Sequence, residues 1–165
     1  MAMRIVKKYS FNAGLKLLGK DKARELEEVL DAVKAAKAEK TKAGLYSPKA
    51  MSNEILSLLY RKGWEKPKTA FGPPGSLIEG DAAKNGVGVE IQFGKYSFLG
   101  WDSLRKMAVF AGAGAYSHGI EIAPMASLRR RMDKGVGSFE QLSGKLKSAG
   151  NAELKIPVVV LGIDA

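Results

Sequence analysis

Asp81, Glu90 and Gln92 are the residues whose types and spacing suit chemistry best. Glu90 and Gln92 stand in a short apolar run, Val89-Glu90-Ile91-Gln92-Phe93, behind the turn-forming Lys84-Asn85-Gly86-Val87-Gly88. On a strand, successive side chains alternate faces, so Glu90 and Gln92 project together while Ile91 and Phe93 can turn to the core. If Asp81 lies on a neighbouring strand joined by that turn, its carboxylate comes close enough to Glu90 for both to hold one hard cation. Paired carboxylates with water suit Mg²⁺. An ion held this way readies a water for attack on a phosphodiester and stabilises the charge that builds on the phosphate. The pattern has a bland counterpart, since hairpins often carry one carboxylate on each strand as part of a solvated face.

The elements that must position these groups alternate between helix and strand. Residues 3–6 read as a short strand or extended arm, and 11–18 and 20–39 as helices, the second with Leu26, Val29, Leu30 and Val33 at helical spacing. Lys40 to Gly44 ends it. Ser47 before Pro48 signals a helix start, and Ile55, Leu56, Leu58 and Leu59 continue an amphipathic helix that Gly63 closes. Lys66 to Gly75, with three Pro, is an irregular connection. Strands are predicted at 76–82, 88–93, 118–124 and 156–163, and helices at 101–113 and 138–148. The continuously apolar Val158 to Ile163 reads as a central strand. With no repeat, low-complexity tail or linker, residues 1–165 read as a single domain.

Composition bounds the partners. At 165 residues and 45% hydrophobic, the chain has enough apolar material for a core. Twenty-seven Lys and Arg against 17 Asp and Glu give a formal charge of +10, which favours a polyanionic partner. No Cys is present, so disulfides and thiolate metal sites are excluded and an intracellular home is expected. No apolar run approaches the roughly 20 residues that span a bilayer. The basic start lacks the apolar stretch of a signal peptide, so a soluble, cytoplasmic protein is expected.

The segment Val89-Glu-Ile-Gln-Phe-Gly-Lys-Tyr-Ser-Phe98 resembles the active-site strand of the BglII/BstYI-like type II restriction endonucleases, a branch of the PD-(D/E)xK nuclease superfamily. In that family an Asp precedes Glu-x-Gln at this spacing. Met3 to Asn12 and the helix with Glu25-Leu-Glu-Glu28 resemble its opening strand and first helix. Tyr46-Ser47-Pro48 through Asn53, then Gly63-Trp64, resembles the second helix and its exit. Gly119 to Leu128 and Gly135 to Glu140 resemble the later strand, recognition loop and following helix. Nearly the whole chain is covered. The implied fold class is α/β, a single-domain restriction-endonuclease-like fold with a central mixed sheet flanked by helices. Relatives of this kind usually continue past the strand at 156–163, so DNA contacts made by that later region are expected to be absent or replaced.

The resemblance implies roles by position. Asp81 is the central metal ligand, with the Ile91 backbone carbonyl completing the shell of Mg²⁺ beside Glu90 and waters. Glu90 contacts metal or the attacking water. Gln92 stands where most of the superfamily carries Lys; it can orient a water but bears no cation. That substitution is typical of this branch, and it shifts charge stabilisation toward the metal and neighbouring basic residues.

Specificity is expected just beyond the catalytic strand. Gly94-Lys95-Tyr96 resembles the BstYI-type loop more than the BglII-type, whose middle residue is Asn. Lys95 donors suit guanine O6 and N7 in the major groove, whereas Asn suits adenine. Ser127, at the tip of Pro124-Met-Ala-Ser127, is the second candidate base reader. The implied substrate is double-stranded DNA carrying a GATC-centred palindrome. A palindrome calls for a two-fold reader, hence a homodimer. By resemblance its interface uses helix 101–113, with Trp101, Leu104, Met107 and Phe110, and helix 138–148. A cognate DNA methyltransferase is expected in the host.

Other conspicuous residues carry plainer readings. Arg129, Arg130 and Arg131 can be a solvated helix start, and the resemblance turns Arg129 and Arg130 toward phosphate contact. His118, the only histidine, has no companion for ligation or base catalysis. Trp64 and Trp101 read as core or interface anchors, and the glycines of Phe110-Ala-Gly-Ala-Gly-Ala115 as close helix packing, since no Lys-Ser/Thr follows them. Two other classes stay open: a DNA-binding relative that has lost cleavage, and a repair or structure-selective nuclease of the same superfamily.

Overall fold

The computed structural model describes residues 1–94, 105–132, 135–149 and 153–165. Their elements run β1 (Arg4–Phe11), α1 (Gly14–Asp21), α2 (Ala23–Ala35), α3 (Pro48–Arg61), β2 (Lys68–Ala70), β3 (Leu77–Glu79), β4 (Ala82–Lys84), β5 (Val87–Ile91), α4 (Met107–Gly112), β6 (His118–Pro124), α5 (Ala126–Arg129), α6 (Phe139–Ala149) and β7 (Val158–Asp164). The main sheet has the order β1-β7-β6-β5-β4. Its three inner strands are parallel to one another, and β1 and β4 run antiparallel at the two edges.

Burial explains this order. Every residue of β6 and of β7 is buried, as their near-continuous apolar sequences require of strands covered on both faces. On one face Val87, Val89, Ile120, Ile122, Val159, Leu161 and Ile163 meet Val29 and Val33 of α2 and Met51, Ile55 and Leu59 of α3. On the other, Val158, Val160 and Ala123 meet Met107 and Phe110 of α4 and Leu142 and Leu146 of α6. The result is a central mixed sheet flanked by helices. Among the described residues no helix is long and apolar enough to cross a membrane.

Several boundaries depart from the sequence expectations for local reasons. The opening strand reaches Phe11, because β7 offers a full-length apolar partner from Arg4↔Asp164 to Phe11↔Val158. Asn12 and Ala13 then take left-handed backbone, with φ of 50° and 57°, so the helix expected from residue 11 starts at Gly14. Gly14 lies so close to β7 that a Cβ would come within 1.9 Å of the Val158 carbonyl oxygen. The helix expected over 20–39 begins after Lys22, which leaves helical angles, and ends where Ala36 turns extended. The start of α3 is as anticipated: Ser47 Oγ accepts from the Ala50 amide at 3.2 Å.

The strand expected at 76–82 is divided between two sheets. Leu77–Glu79 pairs with Lys68–Ala70 in a small two-stranded sheet, and Ala82–Lys84 joins the main one. Gly80 and Asp81 form the joint, which places Asp81 at the entry to the edge strand.

Met107 and Phe110, expected at a dimer interface, are fully buried inside the chain's own fold. Phe110 stacks on Tyr116 at a centroid separation of 4.8 Å. Leu142 and Leu146 of α6 are likewise core residues. These apolar positions follow helical spacing because they serve the chain's own core, so a contact between copies cannot use them. Trp101 and Leu104 lie outside the described residues.

Candidate active site

The turn between β4 and β5 sets the geometry. Asn85 and Gly86 both have positive φ, 50° and 79°, the backbone of a two-residue hairpin whose twist matches its strands. Ala82 pairs with Val89 and Lys84 with Val87. Helix α2 holds this hairpin from outside: Asn85 Nδ2 donates to Glu25 at 2.7 Å, and Lys84 Nζ reaches both oxygens of Glu28 at 3.0 and 2.8 Å. Trp64 Nε1 also donates to Glu28, at 2.8 Å. Trp64 is therefore a buried anchor.

With the hairpin fixed, Asp81 lies against β5. Its Oδ2 accepts from the Ile91 backbone amide at 2.7 Å, and its carbonyl accepts from the Tyr60 hydroxyl at 2.6 Å. Glu90 is 1% exposed. Lys106 Nζ contacts its Oε2 at 2.9 Å, and the Tyr116 hydroxyl lies 3.5 Å from its Oε1. Burial, then the negative charge of Asp81, pushes the Glu90 carboxyl up to about 8, while Lys106 and the Asp81 backbone amide pull the other way. Burial and the same carboxylates raise the Tyr116 hydroxyl well above its ordinary value, so it keeps its proton. Gln92 is buried just beyond the end of β5, and its backbone amide donates to the Ile122 carbonyl at 2.7 Å.

Period-two alternation puts Gly88, Glu90 and Gln92 on one face of β5, toward α4. The parallel register sets Gly88 beside Gly119 and Glu90 beside Glu121, which is fully buried in β6. The two glycines are stripped positions. A Cβ at Gly88 would lie 2.1 Å from the Tyr116 ring, and one at Gly119 2.3 Å from Met107 Sδ. Gly80 is as tight, with Tyr116 Oη at 2.4 Å and Glu90 Oε1 at 2.9 Å from its would-be Cβ.

The other predicted site residues lie in two places. Lys95 and Tyr96 are outside the described residues. Ser127 is exposed near the end of β6, its Oγ donating to Asp164 at 2.7 Å, and Arg131 pairs with the same carboxylate. Arg129 is turned inward, its Nε donating to the Val136 carbonyl at 2.7 Å, whereas Arg130 is exposed. The Gly137 amide donates to the Gly94 carbonyl at 3.3 Å, so the loop leading to Lys95 abuts the segment after Arg131. His118 opens β6, three residues before Glu121, and its ring nitrogens contact Ser117 and Asp21.

Sequence reasoning gave no role to Lys106, Tyr116, Glu121 or Gly80. Only Glu121 left a signal, a carboxylate in an otherwise apolar strand. Lys106 and Tyr116 reach the site through tertiary packing that local spacing does not reveal.

The family model for restriction endonuclease BglII/BglIII matches residues 6–163, which takes in Asp81, Glu90 and Gln92. The chain belongs to this family. Its members are type II restriction endonucleases, site-specific deoxyribonucleases. Solved structures similar to it include two of BglII. Free BglII is 19% identical, with a TM-score of 0.70 over 98% of this chain and 79% of that one. BglII complexed with a DNA 16-mer is 18% identical, with a TM-score of 0.73 over 100% of this chain and 79% of that one. At that identity the likeness speaks for the restriction-endonuclease-like fold. No curated protein matched the chain.

Proposed function

We propose that this chain is a type II restriction endonuclease whose cleavage centre is Asp81, Glu90 and Gln92, acting with Mg²⁺ on double-stranded DNA at a short, GATC-centred palindrome. The observation that carries this reading is the juxtaposition of Asp81 and Glu90. A fold that buries one carboxylate beside another, raising its proton affinity, favours a cation that relieves both. Among the described residues no group of three or more His, Asp or Glu side chains is placed to hold a metal. The proposed donor set, carried over from the family resemblance, is two carboxylates and the Ile91 backbone carbonyl, all hard oxygens. That set fits Mg²⁺, which keeps several waters.

When bound, the ion supplies charge neutralisation at the phosphate and a more acidic water. The chain's own residues do the rest. Asp81 is oriented by the Ile91 amide, which donates to its Oδ2 at 2.7 Å. Glu90 contacts the ion or the attacking water, its carboxylate held by Lys106 Nζ at 2.9 Å. Gln92, on the same face two residues on, orients that water by giving and accepting hydrogen bonds.

Lys95, Tyr96 and Ser127 read base edges, and Arg129 and Arg130 serve the phosphate backbone. Of these two, exposed Arg130 is the better placed for phosphate, since Arg129 already holds the Val136 carbonyl. A C2 homodimer in the cytoplasm, protected by a host methyltransferase of the same target, completes the proposal. Residues 1–165 act as one domain. Incubating the protein with plasmid and genomic DNA and Mg²⁺, with a chelator control, tests it: cleavage into discrete fragments is expected.

A further inference from the structure

The three groups of the proposed centre, Asp81, Glu90 and Gln92, include two carboxyl groups and no cationic side chain. An anionic phosphate must nevertheless approach them. The nearest positive side chain that the structure sets against the pair comes from a different element: Lys106, at the N-terminus of α4, places Nζ 2.9 Å from Glu90 Oε2. Its side chain is 14% exposed, against 1% for Glu90, so the contact sits at the rim of the site. Lys66 is the alternative cation near Asp81. It is committed to Glu79 at 2.9 Å and is 55% exposed, which marks an ordinary surface pair.

The position of Lys106 is built rather than incidental. Met107, the next residue, seats against Gly119 of β6, where a Cβ would collide with its sulfur. One turn on, Phe110 stacks on Tyr116, whose ring fills the space left by Gly88 of β5. Two glycines at neighbouring register positions let the helix down onto the sheet, and the next pair along the same face is Glu90 and Glu121. That descent delivers two groups to one carboxylate: Lys106 at Oε2 and Tyr116 at Oε1.

Resting on the nuclease reading above, we propose that Lys106 is a positioning residue of the cleavage centre: from α4 it fixes the Glu90 carboxylate and supplies there the positive charge that Gln92 cannot. A buried hydrogen-bonded ammonium holds a carboxylate in one orientation more firmly than a neutral donor does. Charge beside the reacting phosphate also offsets the negative charge that builds as the phosphodiester is attacked.

The experiment compares the parent with Lys106→Gln, which keeps a donor but loses the charge, and with Lys106→Arg, which keeps the charge. Single-turnover cleavage with Mg²⁺, DNA affinity with Ca²⁺ in place of Mg²⁺, and thermal unfolding are measured for each. Lys106→Gln is expected to cut about 100-fold more slowly, a loss typical of removing one preorganised charge-stabilising group, with affinity and unfolding temperature near the parent's. Lys106→Arg should recover most of the rate. Parental cleavage by Lys106→Gln overturns the inference and leaves the nuclease reading standing. So does a slowing matched by equal loss of DNA affinity or of fold. If Lys106→Gln does not fold, Lys106→Arg decides: a folded Lys106→Arg that binds DNA as the parent does and does not cut it overturns the inference. A parent that cuts no DNA overturns both.

Discussion

The Asp81 carboxylate, at the joint between the small sheet and the main one, accepts a hydrogen bond from the backbone amide of Ile91 at 2.7 Å. Ten positions apart in the chain, the two residues are locked at the distance of a good N–H to carboxylate bond. The same peptide unit that holds Asp81 follows Glu90, so the two acidic groups move as one. A residue before an edge strand is thereby tied to an inner strand of the main sheet.

Asp81→Asn removes the charge and keeps an oxygen to accept from Ile91. It should abolish cleavage by orders of magnitude while DNA affinity, measured with Ca²⁺, stays near the parent's. Near-parental cutting by this variant places the centre elsewhere. Glu90→Gln should behave likewise.

The buried Glu90 carboxyl gives the metal-free protein a pH signature. Its proton affinity is raised from 4.5 to about 8, so within that window the folded protein holds a proton that the unfolded chain has released. Stability contributed by this group is complete below pH 4.5 and declines as pH rises toward 8. The loss by pH 7 is on the order of 3 kcal/mol. Chemical denaturation with a chelator at several pH values should show the parent losing stability relative to Glu90→Gln across the window, and Mg²⁺ should flatten the difference. A gap between the two that does not change with pH refutes the burial of an ionisable Glu90.

Gly80→Ala tests how closely the joint is packed. The added methyl meets the Tyr116 hydroxyl, Pro67 and Glu90 at 2.4, 2.6 and 2.9 Å. Overpacking of this kind costs about 1–3 kcal/mol. Because the yielding groups surround Glu90, cleavage at saturating DNA should fall further than stability alone explains. Thermal unfolding and single-turnover rates on the same preparation check it.

Lys95→Asn should change which sequences are cut, whereas Arg130→Ala should weaken binding to all of them alike. A lost base contact shifts discrimination by about 1–3 kcal/mol, and a lost phosphate contact lowers the salt slope by roughly one. A cleavage profile on a randomised site library at two salt concentrations separates the two. Unchanged base preference in Lys95→Asn makes it a backbone contact.

Much of this fold is legible in the sequence, because its signals are local. Ser47-Pro48 marks the start of α3, the apolar run to Ile163 marks a strand buried on both faces, and Asn85-Gly86 marks the hairpin that brings Asp81 to Glu90. The failures have equally physical causes. Met107 and Phe110 look like interface residues because apolar helix positions face a core or a partner with the same spacing, and here they face the core. The break at Gly80 and Asp81 is invisible because β3 and β4 are continuous in sequence and differ only in which strand each pairs with. Lys106 is legible only once α4 has been laid on the two glycines beneath it.

The most direct test is digestion of genomic DNA with the purified protein and Mg²⁺, followed by run-off sequencing of the cut ends. Discrete fragments whose ends share one short palindrome with GATC at its centre, lost on chelation and lost in Asp81→Asn, are the predicted result. No cleavage, or cleavage confined to ends, flaps or mismatches without a common sequence, contradicts a restriction endonuclease centred on Asp81 and Glu90.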